Sequence, residues 1–220
     1  MKINPLAPVL LATLLSGCYG ASATVVDSSG GQTVQQAQAA PYNGPQKRIA
    51  VSAFDYRAGD GSADIGQGMA DMLTNSLFNT GRFIVLERER LNEVIKEQDR
   101  VDSGRFKKDT MAAKGELEGA ELLIRGSVTQ FEPKCRGGSA IVVSGNVACM
   151  AINLRIVDAK TGRVVNATTV EGTSADNRIG FLWTRGTLPI GLGTYSNTPM
   201  EAAIRNCIET AVQHIADTKL

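Results

Sequence analysis

An α/β fold, with a mixed sheet and a long closing helix, is predicted by three features of this 220-residue sequence. Two apolar runs of strand type, 47–54 and 83–86, are separated by a helical pattern. That order favours a parallel pair, because a hairpin cannot join strands through a helix. Two later runs of strand type, 148–157 and 163–170, flank Asp158-Ala159-Lys160-Thr161-Gly162, a turn that joins them as an antiparallel hairpin. A stripe of Met200, Ile204, Cys207, Ile208, Ala211, Val212 and Ile215 then marks one face of a helix begun near Pro199.

Composition bounds the function. With 43% hydrophobic and 20% charged residues the chain suits one domain with a real core. Lys plus Arg number 23 and Asp plus Glu 22, and a formal charge of +1 creates no field that would gather nucleic acid or an acidic substrate.

Residues 1–17 read as a signal peptide, since Lys2 precedes an uncharged apolar run from Pro8 to Leu15. The run is shorter than the roughly 20 residues a spanning helix needs. It ends in Leu15-Ser16-Gly17-Cys18, which resembles the lipobox of bacterial lipoproteins. Small residues at 16 and 17 let the chain enter a peptidase cleft, and the Cys18 thiol is the nucleophile that takes up diacylglycerol. Cys18 is therefore the expected lipidation site, carrying palmitate and the rest of the anchor. Tyr19 stands where the retention signal of such lipoproteins is usually Asp, which implies transport to the outer membrane. Residues 18–46, rich in Ala, Ser, Gly, Gln and Thr, read as a lipidated flexible tether.

The folded domain is expected over 47–220. Lys47 to Phe54 forms a buried first strand that stops at Gly59-Asp60-Gly61-Ser62. Asp64 and Gln67 can form a capping box ahead of Ile65, Met69, Met72, Leu73 and Leu77, and Gly81 ends that helix. Phe83 to Leu86 makes a second strand, and Leu91, Val94 and Ile95 mark a short helix. Residues 100–114 read as loop with a helical turn. Leu122 to Phe131, Ala148 to Val157 and Arg163 to Val170 are three further strands, the middle one with Ile152, Leu154 and Ile156 alternating with Asn153 and Arg155.

No catalytic constellation emerges. His214 is the only histidine, which excludes a multi-histidine metal site. It lies about 10 Å along a helix from Cys207, too far for a cysteine–histidine pair. Cys207 is read as a buried apolar residue and His214 as an exposed helix-end residue. The glycines at 59, 61, 66 and 68 lie between strand and helix, yet Asp64 replaces the third glycine of a dinucleotide loop and Asp60 would repel phosphate. Glu87 and Glu89, beside Arg88 and Arg90, read as a solvated face. No reaction, metal, small-molecule substrate or cofactor other than the covalent lipid is expected.

Several segments resemble the CsgG family, outer-membrane lipoproteins that export curli subunits, together with related holdfast-anchoring lipoproteins. They are the lipobox, Arg48-Ile49-Ala50-Val51, Phe83-Ile84-Val85-Leu86-Glu87-Arg88 with Leu91, and Gly119-Ala120-Glu121-Leu122-Leu123-Ile124-Arg125-Gly126-Ser127-Val128. The resemblance continues through Ile152-Asn153-Leu154-Arg155-Ile156-Val157 with Thr161-Gly162, Tyr195-Ser196-Asn197-Thr198-Pro199, and Ile208-Glu209-Thr210-Ala211-Val212. It implies a periplasmic α/β domain that assembles into a ring, with two inserted hairpins per subunit joining a shared transmembrane β-barrel. Its partners would be copies of itself, the outer membrane and secreted adhesive or curli-like subunits.

Two insertions stand in the matching places, near 133–150 and 173–194. In the second, Ile179, Phe181 and Trp183 alternate with Arg178, Gly180 and Leu182, Thr184-Arg185-Gly186-Thr187 turns, and Leu188, Ile190 and Leu192 alternate with Pro189, Gly191 and Gly193. One face of that candidate membrane hairpin is apolar. Barrel strands span with roughly 9 to 11 residues, so each arm reaches across only by continuing its flanking strand. The first insertion, Ala140 to Val143 and Asn146 to Cys149 around Ser144-Gly145, fits a periplasmic hairpin as well as a barrel one. Cys135 and Cys149 flank it in a compartment where a disulfide persists, with two reduced thiols as the alternative.

The loop after the first strand, Arg57 to Asp64, lacks the aromatic and amide side chains with which secretion channels of the family narrow their pore. A second resemblance stays open beside the first: accessory lipoproteins that activate penicillin-binding proteins share this small domain and form no pore.

Overall fold

The computed structural model describes residues 22–25, 42–59, 62–110, 114–135, 147–174, 188–218 and 220. The signal segment 1–17, Cys18, the tip of the first insertion and Ile179, Phe181 and Trp183 lie outside the described residues.

In chain order the elements are β1 (Ser22–Val25), β2 (Lys47–Val51), β3 (Asp55–Tyr56), α1 (Ala63–Asn79), β4 (Phe83–Leu86) and α2 (Leu91–Asp99). Two short 3-10 turns, Arg100–Ser103 and Lys108–Thr110, precede β5 (Leu122–Glu132), β6 (Ala148–Asp158) and β7 (Val164–Ser174). A further 3-10 turn, Gly193–Tyr195, leads into α3 (Pro199–Asp217). The strands form one mixed sheet in the order β1-β7-β6-β5-β2-β4, with β3 beside β5.

The strand-helix-strand order works as expected: β2 runs parallel to both β4 and β5. The back half is antiparallel, with Ile124 opposite Ile156 and Ile152 opposite Val170. Alternation then sets the faces. Met150, Ile152, Leu154 and Ile156 of β6 are buried, whereas Asn153 and Arg155 between them are exposed. The buried face meets Ile65, Met69, Leu73 and Leu77 of α1 and Ile204, Cys207, Ile208, Ala211, Val212 and Ile215 of α3 in one core. α3 lies over β1, β7 and β6, α1 over β2 to β5, and the two helices touch.

Three expectations are corrected. Residues 18–46 were expected to be tether throughout, yet Ser22–Val25 pairs antiparallel with β7. β7 would otherwise end the sheet with a row of unpaired backbone groups, and Ala23-Thr24-Val25 has the β-branched content to cover it. Average composition over the tether hides so short a strand. At α1 the cap is Ser62, whose hydroxyl accepts from the Asp64 amide at 3.1 Å, and Gln67 donates to Asp71 at 3.2 Å instead of closing a box with Asp64. Finally β7 continues to Ser174, because it follows β6 all the way to Ala148.

Candidate functional site

The register of the back strands brings the chemistry-bearing segments to one end of the sheet. β5 ends with Glu132 beside Cys149, β7 ends with Ser174 opposite Ala148, and β1 begins with Ser22 opposite Thr173. Both insertions and the segment preceding Ser22 therefore depart from the same end of four adjacent strands. At about 4.8 Å between strands those departures lie on a line roughly 15 Å long. Four residues of sequence separate Cys18 from Ser22, a length of chain that spans at most about 14 Å at roughly 3.6 Å per residue.

The root of the first insertion is closed. Beyond Glu132 the Cys135 amide donates to Val147 O at 2.8 Å, and Cys135 and Cys149, at a sequence separation of 14, form a disulfide with their Cα atoms 5.7 Å apart. Loop-closure entropy for a ring of this size is worth about 3 kcal/mol. Cys135→Ser with Cys149→Ser is accordingly expected to lower the unfolding free energy by about 3 kcal/mol, read as a lower urea midpoint, and wild type in reductant should shift equally. An unchanged midpoint would show that the bridge constrains nothing in the unfolded chain.

The second insertion starts from buried Ser174 and returns at Leu188, so thirteen residues, 175–187, lie between its described feet. Here the expected second arm is corrected: Leu188, Ile190 and Leu192 do not form a strand but a turn that leads into Gly193–Tyr195. Leu188 and Leu192 are core residues, and Ile190 alone points outward, 83% exposed. Gly191 has φ +88°, a left-handed conformation that ends any strand and that other residues adopt at a cost. A side chain there would also overlap the Asp64 carbonyl, because the turn lies against the start of α1. Two leucines spaced two apart satisfy a turn around an outward residue as readily as a strand, and the sequence pattern does not separate them.

Further along, Tyr195 meets Phe131 edge-on at 4.9 Å between centroids and Phe131 meets Tyr56 at 6.3 Å, tying the return to β5 and β3. Glu201 on the first turn of α3 accepts from Arg205 Nη2 at 2.7 Å and Nε at 2.9 Å, and from the Asn197 amide at 2.6 Å. Nothing in the sequence pattern distinguished Glu201 from a surface carboxylate, although its spacing to Arg205 is that of a helical ion pair.

The other residues that the sequence singled out have structural partners. Glu87 and Glu89 are not merely a solvated face: Glu87 accepts from the Arg90 amide at 3.1 Å and Glu89 from the Ala53 amide. With Asp71, Thr74, Asn75, Arg90 and Pro189 they line an open cleft of about 230 Å³. Cys207 is fully buried, its thiol 3.6 Å from Val170 O and held up by burial as an inert thiol. His214 is half-buried rather than exposed, its Nε2 3.1 Å from Asn166 Oδ1 on β7, and burial lowers its proton affinity while Asp217 raises it. The Asp158 carboxylate accepts from the Thr161 hydroxyl and amide, which holds it below the usual range and fixes the β6–β7 turn. Among the described residues no group of three or more His, Cys, Asp or Glu side chains could hold a metal ion. Nor is any helix there long and apolar enough to cross a membrane.

Comparison with known proteins adds a lineage. The family model described as "Curli production assembly/transport component CsgG" matches residues 31–219. A putative lipoprotein of Neisseria meningitidis serogroup B is 28% identical over 189 residues, covering 79% of this chain and 78% of the relative. The curli production assembly/transport component CsgG of Salmonella typhimurium is 23% identical over 195 residues, covering 76% of this chain and 70% of the relative. Among solved structures, a hypothetical protein from Chlamydia trachomatis aligns at a TM-score of 0.48 and 12% identity, covering 78% of this chain and 96% of that one.

Proposed function

The chain belongs to the CsgG family of curli production assembly/transport components, and from that premise we propose that it is an outer-membrane lipoprotein anchored through Cys18, facing the periplasm. In this reading it assembles with copies of itself as a secretion, assembly or anchoring component for extracellular adhesive or curli-like subunits. It binds and positions, and the reading assigns it no reaction.

The observation that carries this reading is the convergence at one end of the sheet. A protein that works at a bilayer must present its anchor and its inserted segments to the same side. The register of β1 against β7, and of β5, β6 and β7 with one another, brings the start of the anchored strand and the feet of both insertions there. A single acyl chain binds membranes only weakly, so stable attachment needs several chains or a second signal.

The test uses the full-length chain expressed in a Gram-negative host. Wild type is expected to take up labelled palmitate and float with outer membranes, and Cys18→Ala to lose both the label and the membrane fraction. Mild detergent extraction and negative-stain imaging should then show closed rings with a central hole. Conductance in planar bilayers should vanish when 175–187 are deleted. Membrane attachment that survives Cys18→Ala would overturn the anchor.

A second reading has its own support. The disulfide at the root of the first insertion and the buried turn that ends the second both restrain the segments that would enter a barrel. They favour a tethered accessory lipoprotein that binds a periplasmic partner, of the penicillin-binding-protein activator type. Dispersed monomers in the same images would support it and sink the ring.

A further inference from the structure

The sheet face turned away from α1 and α3 carries a charge arrangement that nothing among the described residues compensates. Arg125 of β5 stands directly opposite Arg155 of β6, and both are exposed. Among the described residues neither guanidinium has an acidic partner. Like charges at directly opposed positions destabilise a sheet, so the pair costs the isolated subunit stability. Paired guanidinium groups also present several donors in fixed forks that match carboxylates. One step along the same strands, Leu123 stands opposite Val157, an apolar floor beside the charges.

The complementary surface is on the helical side of the molecule. The cleft lined by Asp71, Glu87, Glu89 and Arg90 holds three carboxylates against one guanidinium. Its rim at Pro189 continues into Ile190, which is 83% exposed. Asp71 belongs to α1, on the face of the sheet opposite the arginines, so one chain cannot bring the two surfaces together. A contact between unlike patches on two copies is heterologous and, repeated, closes a ring or runs on as a filament. The formal charge of +1 leaves the association to these local patches rather than to any overall field.

We propose that the Arg125–Arg155 pair docks into the acidic cleft of the next copy of this chain, with Ile190 of that copy seated against Leu123 and Val157. This inference rests on the self-assembling reading above. It adds which surfaces meet, and it predicts assembly that weakens as salt is raised.

The test is a charge exchange in the full-length, detergent-extracted protein, with assembly followed by mass photometry across a dilution series. Arg125→Glu with Arg155→Glu reverses one surface. Asp71→Lys with Asn75→Lys reverses the other while leaving the Glu87 and Glu89 hydrogen bonds in place. Each pair alone is expected to raise the concentration for half-assembly about tenfold or more. The four substitutions together should bring it back to within about threefold of wild type, an outcome that misfolding cannot produce. Failure of the combined variant to recover overturns the proposal. So do rings unaffected by either pair, which leave the self-assembling reading standing. Rings that persist with Arg125→Glu and Arg155→Glu while export of subunits is lost would give this face to the cargo instead. Wild type that is monomeric throughout overturns both.

Discussion

Glu201→Ala is expected to lower the unfolding free energy by about 3 to 5 kcal/mol, the range for breaking one side of a buried ion pair. The side chains of Arg205 and Glu201 are only 13% and 10% exposed. Alanine would leave the Arg205 guanidinium facing the interior without its two short bonds, and the Asn197 amide without its acceptor. The second loss matters because Asn197 sits at φ 60°, a left-handed conformation uncommon for a residue other than glycine. The Glu201 carboxylate thus fixes both the start of α3 and the turn through which the chain returns from the second insertion. Glu201→Leu with Arg205→Met should be milder than Glu201→Ala alone, since the guanidinium is then removed together with the carboxylate that faces it. A urea titration of the three proteins decides it. If the double variant is the weaker one, attraction within the pair outweighs the cost of drying it.

Gly66→Ala sets two effects of opposite sign against each other. Alanine is the better helix former by about 1 kcal/mol, and α1 would gain from it if the position were open. It is not open: a Cβ at Gly66 would overlap the carbonyl oxygen of Phe54, a backbone atom that cannot rotate away. Overpacking of this kind costs roughly 3 kcal/mol at its upper end, so the net loss is about 2 kcal/mol. For a domain of this length each kcal/mol moves the midpoint by about 2 to 4 °C, and a fall of roughly 4 to 8 °C is expected. Gly68→Ala meets Leu192 and the Ile190 carbonyl at 2.9 Å and should fall less, because that overlap is far shallower than the one at Gly66. A rise in melting temperature for Gly66→Ala would show that α1 does not approach the β2–β3 connection so closely in solution.

Most of the architecture was legible because it depends on periodicity. β6 could be read from Ile152, Leu154 and Ile156 against Asn153 and Arg155, and α3 from its stripe between Met200 and Ile215. Both patterns are statements about one buried face, and burial on one face is what the fold required. The misreadings share another cause. Ser22–Val25 is a strand only because β7 offers an open edge, Leu188 to Leu192 is a turn only because α1 lies under it, and His214 is half-buried only because Asn166 faces it. In each case the partner is distant in sequence. The Cys135–Cys149 pair was visible as spacing around an insertion, but the register of Glu132 against Cys149 is what brings the two sulfurs within bonding distance. The arginine pair was invisible for the same reason: Arg125 and Arg155 are 30 positions apart until β5 and β6 align.

β1 also fixes a length scale. While Ser22–Val25 holds its four partners on β7, the proposed lipid on Cys18 would have only four residues of chain, at most about 14 Å, between it and the end of the sheet. Should those pairs part, the chain from Cys18 to Lys47 would be the only link, and its contour is roughly 100 Å. A pull on the anchor acts at Ser22, along the strand, and so loads the rungs of that short ladder in shear, all at once, rather than peeling them singly. If the chain is anchored as proposed, those four residue pairs would act as a mechanical clutch between a domain clamped to the bilayer and one on a long leash.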